Sequence, residues 1–277
     1  MGNTLSLLVV GPHPDDCSIK AGGIAVAFIE SGHNVTFLSA TDGSAGHHEM
    51  GRQELAARRK CETEAVAETL GIEYEVFDIT DGQLEPTLAN RRRFIRFIRK
   101  VDPDFVLGPR PNDYHPDHRY CARLLQDAAY MLIVPNSCPD TPPLDTIPVF
   151  GYVADHFQKP TPFEPDLVVD VTDVEKCKID ALHCHKSQMY EWLPYTYDEL
   201  DTVPRDDTKR REWLANDGLT HLEANTAMNV AERFHDELIA QYGETAGAQV
   251  EHAEAIEISE YGAPLTNEVR EALLNRS

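Results

Sequence analysis

Short apolar runs alternate with longer amphipathic segments along the first half of the chain. Runs such as "LSLLVV" (5–10) and "NVTFLSA" (34–40) are typical of parallel strands that are buried on both faces. Between such runs apolar residues recur every three or four positions, which predicts helices, and Gly32 and Gly71 are expected to end two of them. The predicted strands are 5–10, 34–40, 74–79 and 104–109, and the predicted helices are 21–32, 52–71, 88–101 and 117–133. This alternation predicts an α/β protein, with a Rossmann-like, doubly wound, mostly parallel sheet and helices on both faces.

The regular alternation stops near residue 134. Residues 135–148 hold five prolines and are predicted to form a loop, while residues 193–217 are polar and ambiguous. Further strands are predicted at 148–155, 166–172 and 253–259, and further helices at 173–192 and 219–242. Because no repeat, low-complexity tract or linker interrupts the chain, we expect a single domain, 1–277. Its variable segments, 135–165 and 193–250, are expected to face the substrate or an oligomer partner.

Composition and charge exclude several classes of partner. A formal net charge of −22 would repel the phosphate backbone, so no nucleic-acid partner is expected. No apolar run reaches 18 residues, which argues against a membrane span, and the N-terminus has no basic segment or cleavage site of a signal peptide. The six cysteines form no CxxC pair, which is typical of reduced thiols in a cytoplasmic protein.

Polar, irregular stretches follow each of the first four predicted strands. They are "PHPDD" (12–16), "TDGSAG" (41–46), "TDG" (80–82) and "PRPNDYHPDH" (109–118). Because parallel strands end at the same edge of a sheet, these four stretches are expected to meet there, where such sheets bind ligands. The sequence therefore predicts a functional site at this edge.

The first and last of these stretches carry the residue types of a metal site. His13 and Asp16 lie three apart across a turn, and His118 opens a helix, so all three can reach one ion. A catalytic zinc takes about three protein ligands at ~2.0–2.2 Å and leaves one position to water. Two histidines and one carboxylate also suit non-haem iron, so zinc is favoured and iron stays open.

Two further residues of these stretches are left for proton transfer. If Asp16 is a ligand, Asp15 faces elsewhere and can accept a proton from the attacking water as a general base. A protonated His115 could stabilise the oxyanion or donate to the leaving group. The pattern thus predicts metal-assisted hydrolysis.

Plainer explanations exist for either stretch taken alone. A single His-Pro-Asp in a loop is usually a turn with an Asx cap. Two such clusters at one sheet edge are much harder to explain in this way. No G-x-G-x-x-G follows the first strand, which argues against dinucleotide binding, and no G-x-S-x-G indicates an acyl-enzyme.

Six segments together resemble the PIG-L/LmbE-like zinc-dependent de-N-acetylases. They are "PHPDDCSIKAGG", "TDGSAG", "ELAARRKCETEAVAETLGI", "TDGQL", "NDYHPDH" and "KIDALHCHKSQ", within residues 5–190. Many members of the family have Glu where this chain has Cys17, but the diacetylchitobiose deacetylases, which are nearest in motif, also carry cysteine. The resemblance implies one Zn²⁺ per chain on His13, Asp16 and His118, with Asp15 as base and His115 assisting.

The resemblance also implies residues that contact the substrate. Arg59 and Asp81 match positions that bind sugar hydroxyls, and Asn112 and Asp113 line the same loop as His115. Arg59 could equally be a solvated helix cation and Asp81 a turn residue. His185 matches a family histidine that supports the site from behind the ligands, or it is an ordinary core histidine. The resemblance further implies homotrimers or hexamers.

The expected activity is hydrolysis of the N-acetyl amide of an N-acetylglucosamine-type sugar, which releases acetate and an amino sugar. An amidase acting on a sugar-thiol conjugate or another N-acylated small molecule would use the same site. A non-catalytic sugar- or nucleotide-binding protein is the alternative from a different class. A phosphoesterase normally needs two metals ~3.5–4 Å apart, and the sequence offers only one full ligand set.

Overall fold

A seven-stranded sheet forms the centre of the molecule. The computed structural model describes residues 4–218 and 227–274. The strands are β1 (Ser6–Gly11), β2 (Asn34–Ser39), β3 (Glu73–Val76), β4 (Phe105–Gly108), β5 (Val149–Val153), β6 (Leu167–Asp170) and β7 (Ala253–Ile258). Their order is β3-β2-β1-β4-β5-β7-β6, and β1 to β5 pair in parallel, whereas β7 is antiparallel to both β5 and β6. The predicted mostly parallel α/β fold is confirmed.

Helices cover both faces of this sheet. They are α1 (Asp16–Glu30), α2 (Arg52–Leu70), α3 (Leu88–Val101), α4 (Pro116–Ala129), α5 (Glu175–Cys184), α6 (Leu193–Thr196), α7 (Asp207–Trp213), α8 (Ala227–Arg233), α9 (His235–Tyr242), α10 (Glu244–Gly247) and α11 (Asn267–Leu274). Two π-helical turns, Gln188–Trp192 and Leu214–Gly218, lie among the later helices. None of the helices in the described ranges is both long and apolar enough to span a bilayer.

Alternate residues of β1 pack into two separate hydrophobic cores. Leu7 and Val9 pack on the face that α1 and α11 cover, while Leu8 and Val10 pack on the face that α3 and α4 cover. All four side chains are almost fully buried. The unbroken apolar run of β1 is thus explained by burial on both faces.

Most predicted elements are present, with shifted ends. All seven predicted strands are found, although β3 ends at Val76, three residues before the predicted end. The first helix begins at Asp16 and not at residue 21, because the turn after β1 leads directly into it. The predicted helix 173–192 is divided into α5 and a π-helical turn. Of the predicted helix 219–242, residues 219–226 lie outside the described residues, and the remainder forms α8 and α9.

Helix α1 is interrupted just behind its first turn. Ala21 has φ −142° and ψ 19°, which breaks the helical hydrogen-bond pattern. The carboxylate of Glu254 on β7 accepts hydrogen bonds from the backbone N–H groups of Gly23 (2.9 Å) and Ile24 (2.8 Å), so it caps the second half of the helix. Lys178 Nζ lies 2.9 Å from the same carboxylate, and both side chains are 3% exposed. This buried pair fixes the position from which the first turn of α1 projects.

The chain order creates a switch point between β1 and β4. The chain first adds β2 and β3 on one side of β1, then returns to add β4 on the other side. The loops after β1 and β4 therefore diverge and leave a crevice, the usual ligand position in such sheets.

We predict that Lys178→Met destabilises the protein by about 3–5 kcal/mol, because it leaves the Glu254 charge buried and unpaired. Lys186→Met is the matched control. Its ion pair with Asp207 has a similar N–O distance of 2.7 Å, but the two side chains are 41% and 59% exposed. The control should therefore lose less than about 1 kcal/mol. Urea unfolding measures both, and equal losses would contradict the role given to the buried pair.

Candidate functional site

The loops after β1 and β4 carry the predicted metal-site residues to the switch point. After β1 the chain turns within residues 12–15, and the backbone N–H of His13 donates to Asp16 Oδ2 (2.7 Å), which holds the turn closed. After β4, α4 begins with Pro116 at its first position, a place that suits proline because no backbone donor is needed there. His118 lies in the first turn of α4 and faces the loop after β1.

Three acceptor atoms converge between these loops. His13 Nδ1 lies 3.4 Å from Asp16 Oδ2 and 3.3 Å from His118 Nε2, and the third side of the triangle, His118 Nε2 to Asp16 Oδ2, is 3.7 Å. Ligands bound to a tetrahedral zinc at about 2.1 Å lie about 3.4 Å from one another. The spacing of the donor set therefore fits a single divalent ion.

Carboxylates behind the two histidines orient the imidazole rings, so that one nitrogen lone pair of each ring faces this triangle. Asp113 Oδ2 lies 3.1 Å from His118 Nδ1, which makes Nδ1 the protonated nitrogen and leaves Nε2 as an acceptor. His13 Nε2 lies 3.2 Å from Asp81 Oδ1 and 3.4 Å from Asp117 Oδ2, although neither contact is aligned as a strict hydrogen bond. Two anionic partners nevertheless favour the proton on Nε2. This carboxylate–histidine arrangement is the one that orients metal-ligating imidazoles.

Within residues 4–218 and 227–274, two other groups of side chains also lie close enough to share an ion. In the first, His115 replaces Asp16 beside His13 and His118. In the second, His13 lies with Asp81 and Asp117, but Asp81 Oδ2 accepts from the backbone of Ala45, and each oxygen of Asp117 accepts a backbone N–H from the loop at 82–84. The triangle of His13, Asp16 and His118 is preferred because it joins a carboxylate to two imidazole lone pairs.

The charge balance within the triangle also suits a cation. Burial alone would lower the pKa of His13, but the nearby carboxylates of Asp117, Asp16 and Asp81 outweigh it and raise that pKa well above the ordinary value. Burial opposes ionisation of Asp16, yet His118 and His13 lower its pKa below that of a free aspartate. The pocket therefore stabilises positive charge at this point.

Asp15 lies beside the triangle without belonging to it. Its side chain is 5% exposed, and it lines the same pocket as the three converging residues. Burial, followed by the neighbouring charge of Asp16, raises the pKa of Asp15, while Arg59 and His13 oppose the increase. A carboxylate with a raised pKa is a better proton acceptor than an ordinary aspartate.

The hydrogen bonding of His115 determines its tautomer. As the N-cap of α4, its Nδ1 accepts the backbone N–H of Asp117 (3.2 Å), so the neutral ring carries its proton on Nε2. Burial, then the nearby imidazoles of His13 and His118, lowers the pKa of His115. The sequence allowed a protonated ring at His115, whereas these contacts favour a neutral imidazole that still offers an N–H donor.

Arg59 projects from α2 into the pocket. Near Arg59, α2 meets residues 187–191 through polar contacts, since Arg58 donates to Glu191 and Glu62 accepts from the backbone of Ser187. Arg59 Nη2 donates to Gly46 O (3.0 Å) and to Gln188 Oε1, and its buried Nε has no hydrogen-bond partner among the described residues. The solvated-cation alternative for Arg59 does not fit, since the residue is only 4% exposed.

The other predicted substrate residues have contacts that differ from those expected. Both oxygens of Asp113 are engaged, one by the backbone N–H of His115 (2.8 Å) and one by His118. Asn112 donates to Thr161 O (3.3 Å) and does not line the pocket. Asp81 lines the pocket, but its oxygens face Ala45 and the His13 ring. These contacts favour positioning roles for Asp81 and Asp113 over direct contact with substrate.

His185 lies behind the first turn of α1. It is 1% exposed, and its Nε2 is 3.0 Å from Ser18 Oγ. Burial, then the charge of Arg59, lowers its pKa to about 3, so the ring is neutral. The position supports the turn that carries Asp15 and Asp16.

Several residues of the site were not singled out from the sequence. Asp117 belongs to the "HPDH" motif of the second cluster, but the sequence indicated no role for it. The pocket, with a volume of about 410 Å³, is also lined by Gln188 and Trp192, and by His156, Phe157 and Leu193 from the segments that were expected to face the substrate. Their positions follow the proline-rich loop and α5, where the sequence shows no metal-type pattern. The available signal was the cluster of four aromatic residues within 190–197.

Comparison with known proteins identifies the family. Residues 8–129 match the PIG-L family model, described as GlcNAc-PI de-N-acetylase. The diacetylchitobiose deacetylase of Thermococcus kodakarensis is 35% identical over 204 residues, which cover 68% of this chain and 74% of that protein. The 4-oxalmesaconate hydratase of Pseudomonas putida is 29% identical over 199 residues, or 69% and 77% of the two chains.

Solved structures agree on the fold. The N,N'-diacetylchitobiose deacetylase from Pyrococcus horikoshii aligns with a TM-score of 0.69 and 23% identity, over 94% of this chain and 85% of that one. The 4-carboxy-2-hydroxymuconate hydratase from Pseudomonas putida aligns with a TM-score of 0.71 and 23% identity, over 95% and 99%. At this level of identity the structures support the fold alone. The family model and the 35% identical relative show that this chain belongs to the PIG-L (GlcNAc-PI de-N-acetylase) family.

Proposed function

We propose that this protein is a metal-dependent hydrolase that removes the acetyl group from an N-acetylglucosamine-type sugar. The observation that carries the proposal is the convergence of His13 Nδ1, Asp16 Oδ2 and His118 Nε2, with the buried Asp15 carboxylate beside them. A binding protein would not need an extra buried carboxylate at that point. The relatives named as deacetylases support the choice of an N-acetyl amide.

We assign the metal to His13, Asp16 and His118, and we propose zinc as the native ion. The donor set of two imidazoles and one carboxylate suits zinc and also non-haem iron. A bound zinc would supply Lewis-acid chemistry, which polarises a carbonyl and lowers the pKa of water. Asp113 would keep the His118 ring in the required tautomer and orientation, and Asp81 and Asp117 would do the same for His13.

The remaining side chains divide the proton transfers. Asp15 accepts a proton from the water that attacks the amide carbon, which its raised pKa favours. The Nε2–H of His115 donates to the oxygen on which negative charge develops. Asp15, once protonated, returns its proton to the nitrogen of the leaving amine.

Arg59 and the variable segments would determine how the sugar lies. Arg59 and the adjacent Gln188 both line the pocket and offer polar groups to sugar hydroxyls. We propose that parts of the segments 135–165 and 193–250 set the substrate range, since residues 155–157 and 193 line the pocket.

Hydration of a carboxylate substrate is the second activity to consider, because a hydratase is among the relatives. The sequence likeness favours the other activity. The diacetylchitobiose deacetylase is 35% identical to this chain and the hydratase 29%, so a sugar amide is the better match. An amidase acting on a different N-acylated small molecule would use the same catalytic groups.

We also propose that the protein functions in the cytoplasm and assembles as a trimer or hexamer. The free cysteines support the first statement. The proposed assembly is compatible with the exposed large side chains of Leu88, Tyr130 and Tyr261. Size-exclusion chromatography with light scattering would test the oligomeric state.

We predict that Asp15→Asn retains the metal but lowers kcat for N-acetyl sugars by about 10²–10⁴-fold, the usual contribution of a general base. Free amine measures turnover, and plasma mass spectrometry measures metal per chain. Asp16→Asn is the matched control on the adjacent residue, and it should lose both metal and activity. Unchanged acetate release by Asp15→Asn would refute the assigned base.

A separate prediction concerns the carboxylate behind His118. Asp113→Asn should weaken metal binding by about 10–100-fold, because the imidazole loses its anionic partner. Competition with a chromogenic chelator measures this affinity. Asp140→Asn, at an exposed surface pair with Arg96, should leave the affinity unchanged. Equal affinities for the Asp113 and Asp140 variants would contradict the positioning role.

A further inference from the structure

The backbone that leads into the turn carrying Asp15 is held by the neighbouring strand. Gly11 O accepts a hydrogen bond from the backbone N–H of Ala40 (2.8 Å). Pro12 O accepts from Thr41 twice, through the backbone N–H (3.0 Å) and through the hydroxyl (2.8 Å). Both donor residues follow directly on β2, which pairs with β1. The start of the turn is therefore fixed by the end of the adjacent strand.

The carbonyl of Pro14, inside the turn, has a partner from further away. The hydroxyl of Tyr74 on β3 donates to Pro14 O across 60 positions of the sequence. β3 lies at the edge of the sheet, separated from β1 by β2, and Tyr74 is paired there with Phe37. The Tyr74 ring packs against the same hydrophobic core as Val9 of β1. The edge strand thus contacts the turn directly.

This hydrogen bond restrains the peptide group immediately before Asp15. The pyrrolidine ring holds φ of Pro14 at about −65°, so the orientation of the next peptide group depends on ψ of Pro14 and φ of Asp15. A hydrogen bond to the carbonyl oxygen restrains this rotation. Because the peptide group is planar, a fixed Pro14 oxygen also fixes the backbone N–H and the Cα atom of Asp15.

The carboxylates of Asp15 and Asp16 are held in different ways. Asp16 Oδ2 accepts from the backbone N–H of His13 (2.7 Å), so this side chain is anchored within the turn itself. Asp15 is the N-cap residue of α1, yet its carboxylate makes no capping hydrogen bond to the helix. The position of the Asp15 carboxylate therefore depends strongly on its backbone, which the Pro14 carbonyl controls.

The loop after β2 restrains the Pro14 ring as well. Gly43 adopts φ +64°, and a Cβ atom at this position would lie 2.7 Å from Pro14 Cδ and 2.8 Å from Arg59 Cδ. Glycine is required there because it has no Cβ atom and adopts a positive φ readily. Pro14 is thus held at its ring by Gly43 and at its carbonyl by Tyr74.

Tyr74 acts from outside the pocket. It is absent from the described lining of the pocket, and its hydroxyl donates to a backbone oxygen, so direct contact with the substrate is not expected. Burial, then the neighbouring Cys17, raises the pKa of the Tyr74 hydroxyl well above its usual value. The hydroxyl therefore stays protonated, and remains a donor, at any pH at which a carboxylate acts as a base.

We infer that Tyr74 is a positioning residue for the catalytic base: its hydroxyl, through the Pro14 carbonyl, holds Asp15 where it can accept the proton of the attacking water. This inference rests on the proposed deacetylase activity and on the role of Asp15 in it. It extends the residues on which turnover depends to the edge strand of the sheet.

The test is Tyr74→Phe, which removes the hydroxyl and retains the ring in the core. A displacement of about 1 Å can cost about 10²-fold in rate, so kcat for N-acetylglucosamine or its β-linked disaccharide should fall about 10- to 100-fold. KM should be unchanged, and so should the metal content per chain, because the three candidate ligands keep their own contacts. Free amine measures turnover, and plasma mass spectrometry measures the metal.

The same substitution in the Asp15→Asn background separates positioning from general destabilisation. If Tyr74 acts through Asp15, the double variant should be no slower than Asp15→Asn alone, because the group that is positioned has already been removed. Tyr152→Phe is the matched control. It removes a hydroxyl that lies 2.9 Å from Gln126 Nε2 and 3.0 Å from Ser259 Oγ, outside the described lining of the pocket. This control should retain the kcat of the parent protein.

The failures of the two proposals are distinguishable. An unchanged kcat for Tyr74→Phe overturns the positioning role and leaves the proposed function intact. Equal fold losses in the parent and Asp15→Asn backgrounds do the same, and so does loss of the metal from Tyr74→Phe. If the parent protein releases no amine from either sugar, the proposed function fails and the positioning role fails with it.

Discussion

The convergence of two imidazole lone pairs and one carboxylate oxygen is the interaction on which the other features depend. His13 Nδ1, Asp16 Oδ2 and His118 Nε2 are all electron-pair donors, and without a cation they would repel one another at 3.3–3.7 Å. The protein nevertheless surrounds them with structure that enforces the arrangement. Asp113 turns the ring of His118, and Asp81 and Asp117 approach the far nitrogen of His13.

The fold explains how residues about 100 positions apart reach this arrangement. The switch point between β1 and β4 brings the two loops to the same crevice, and each loop leads directly into a helix whose first turn carries a site residue. The buried Lys178–Glu254 pair steadies the first of these helices from behind. The positions of the site residues are therefore set by the ends of two adjacent strands, β1 and β4.

Local patterns in the sequence were sufficient to predict the strands and the candidate metal ligands. The apolar runs mark β1, β2 and β4 because those strands are buried on both faces, and Gly32 and Gly71 end helices because they adopt φ values of +84° and +68°. Side-chain contacts between residues far apart in the sequence could not be predicted from local patterns. The contact of Glu191 with Arg58 spans 133 positions, and that of Arg110 with Asp155 crosses a proline-rich loop. The sequence suggested that Asp81 and Asp113 contact the substrate, whereas the structure favours positioning roles for both. Only the folded chain shows which group contacts each carboxylate oxygen.

The most direct measurement is the position of the bound ion in a crystal of the protein grown with zinc, located by anomalous scattering at the zinc edge. The account predicts one strong peak per chain, bounded by His13 Nδ1, Asp16 Oδ2 and His118 Nε2, with the Asp15 carboxylate adjacent to it. A peak that replaces Asp16 with His115, a peak on the Asp81–Asp117 side of the His13 ring, or no bound ion would contradict it.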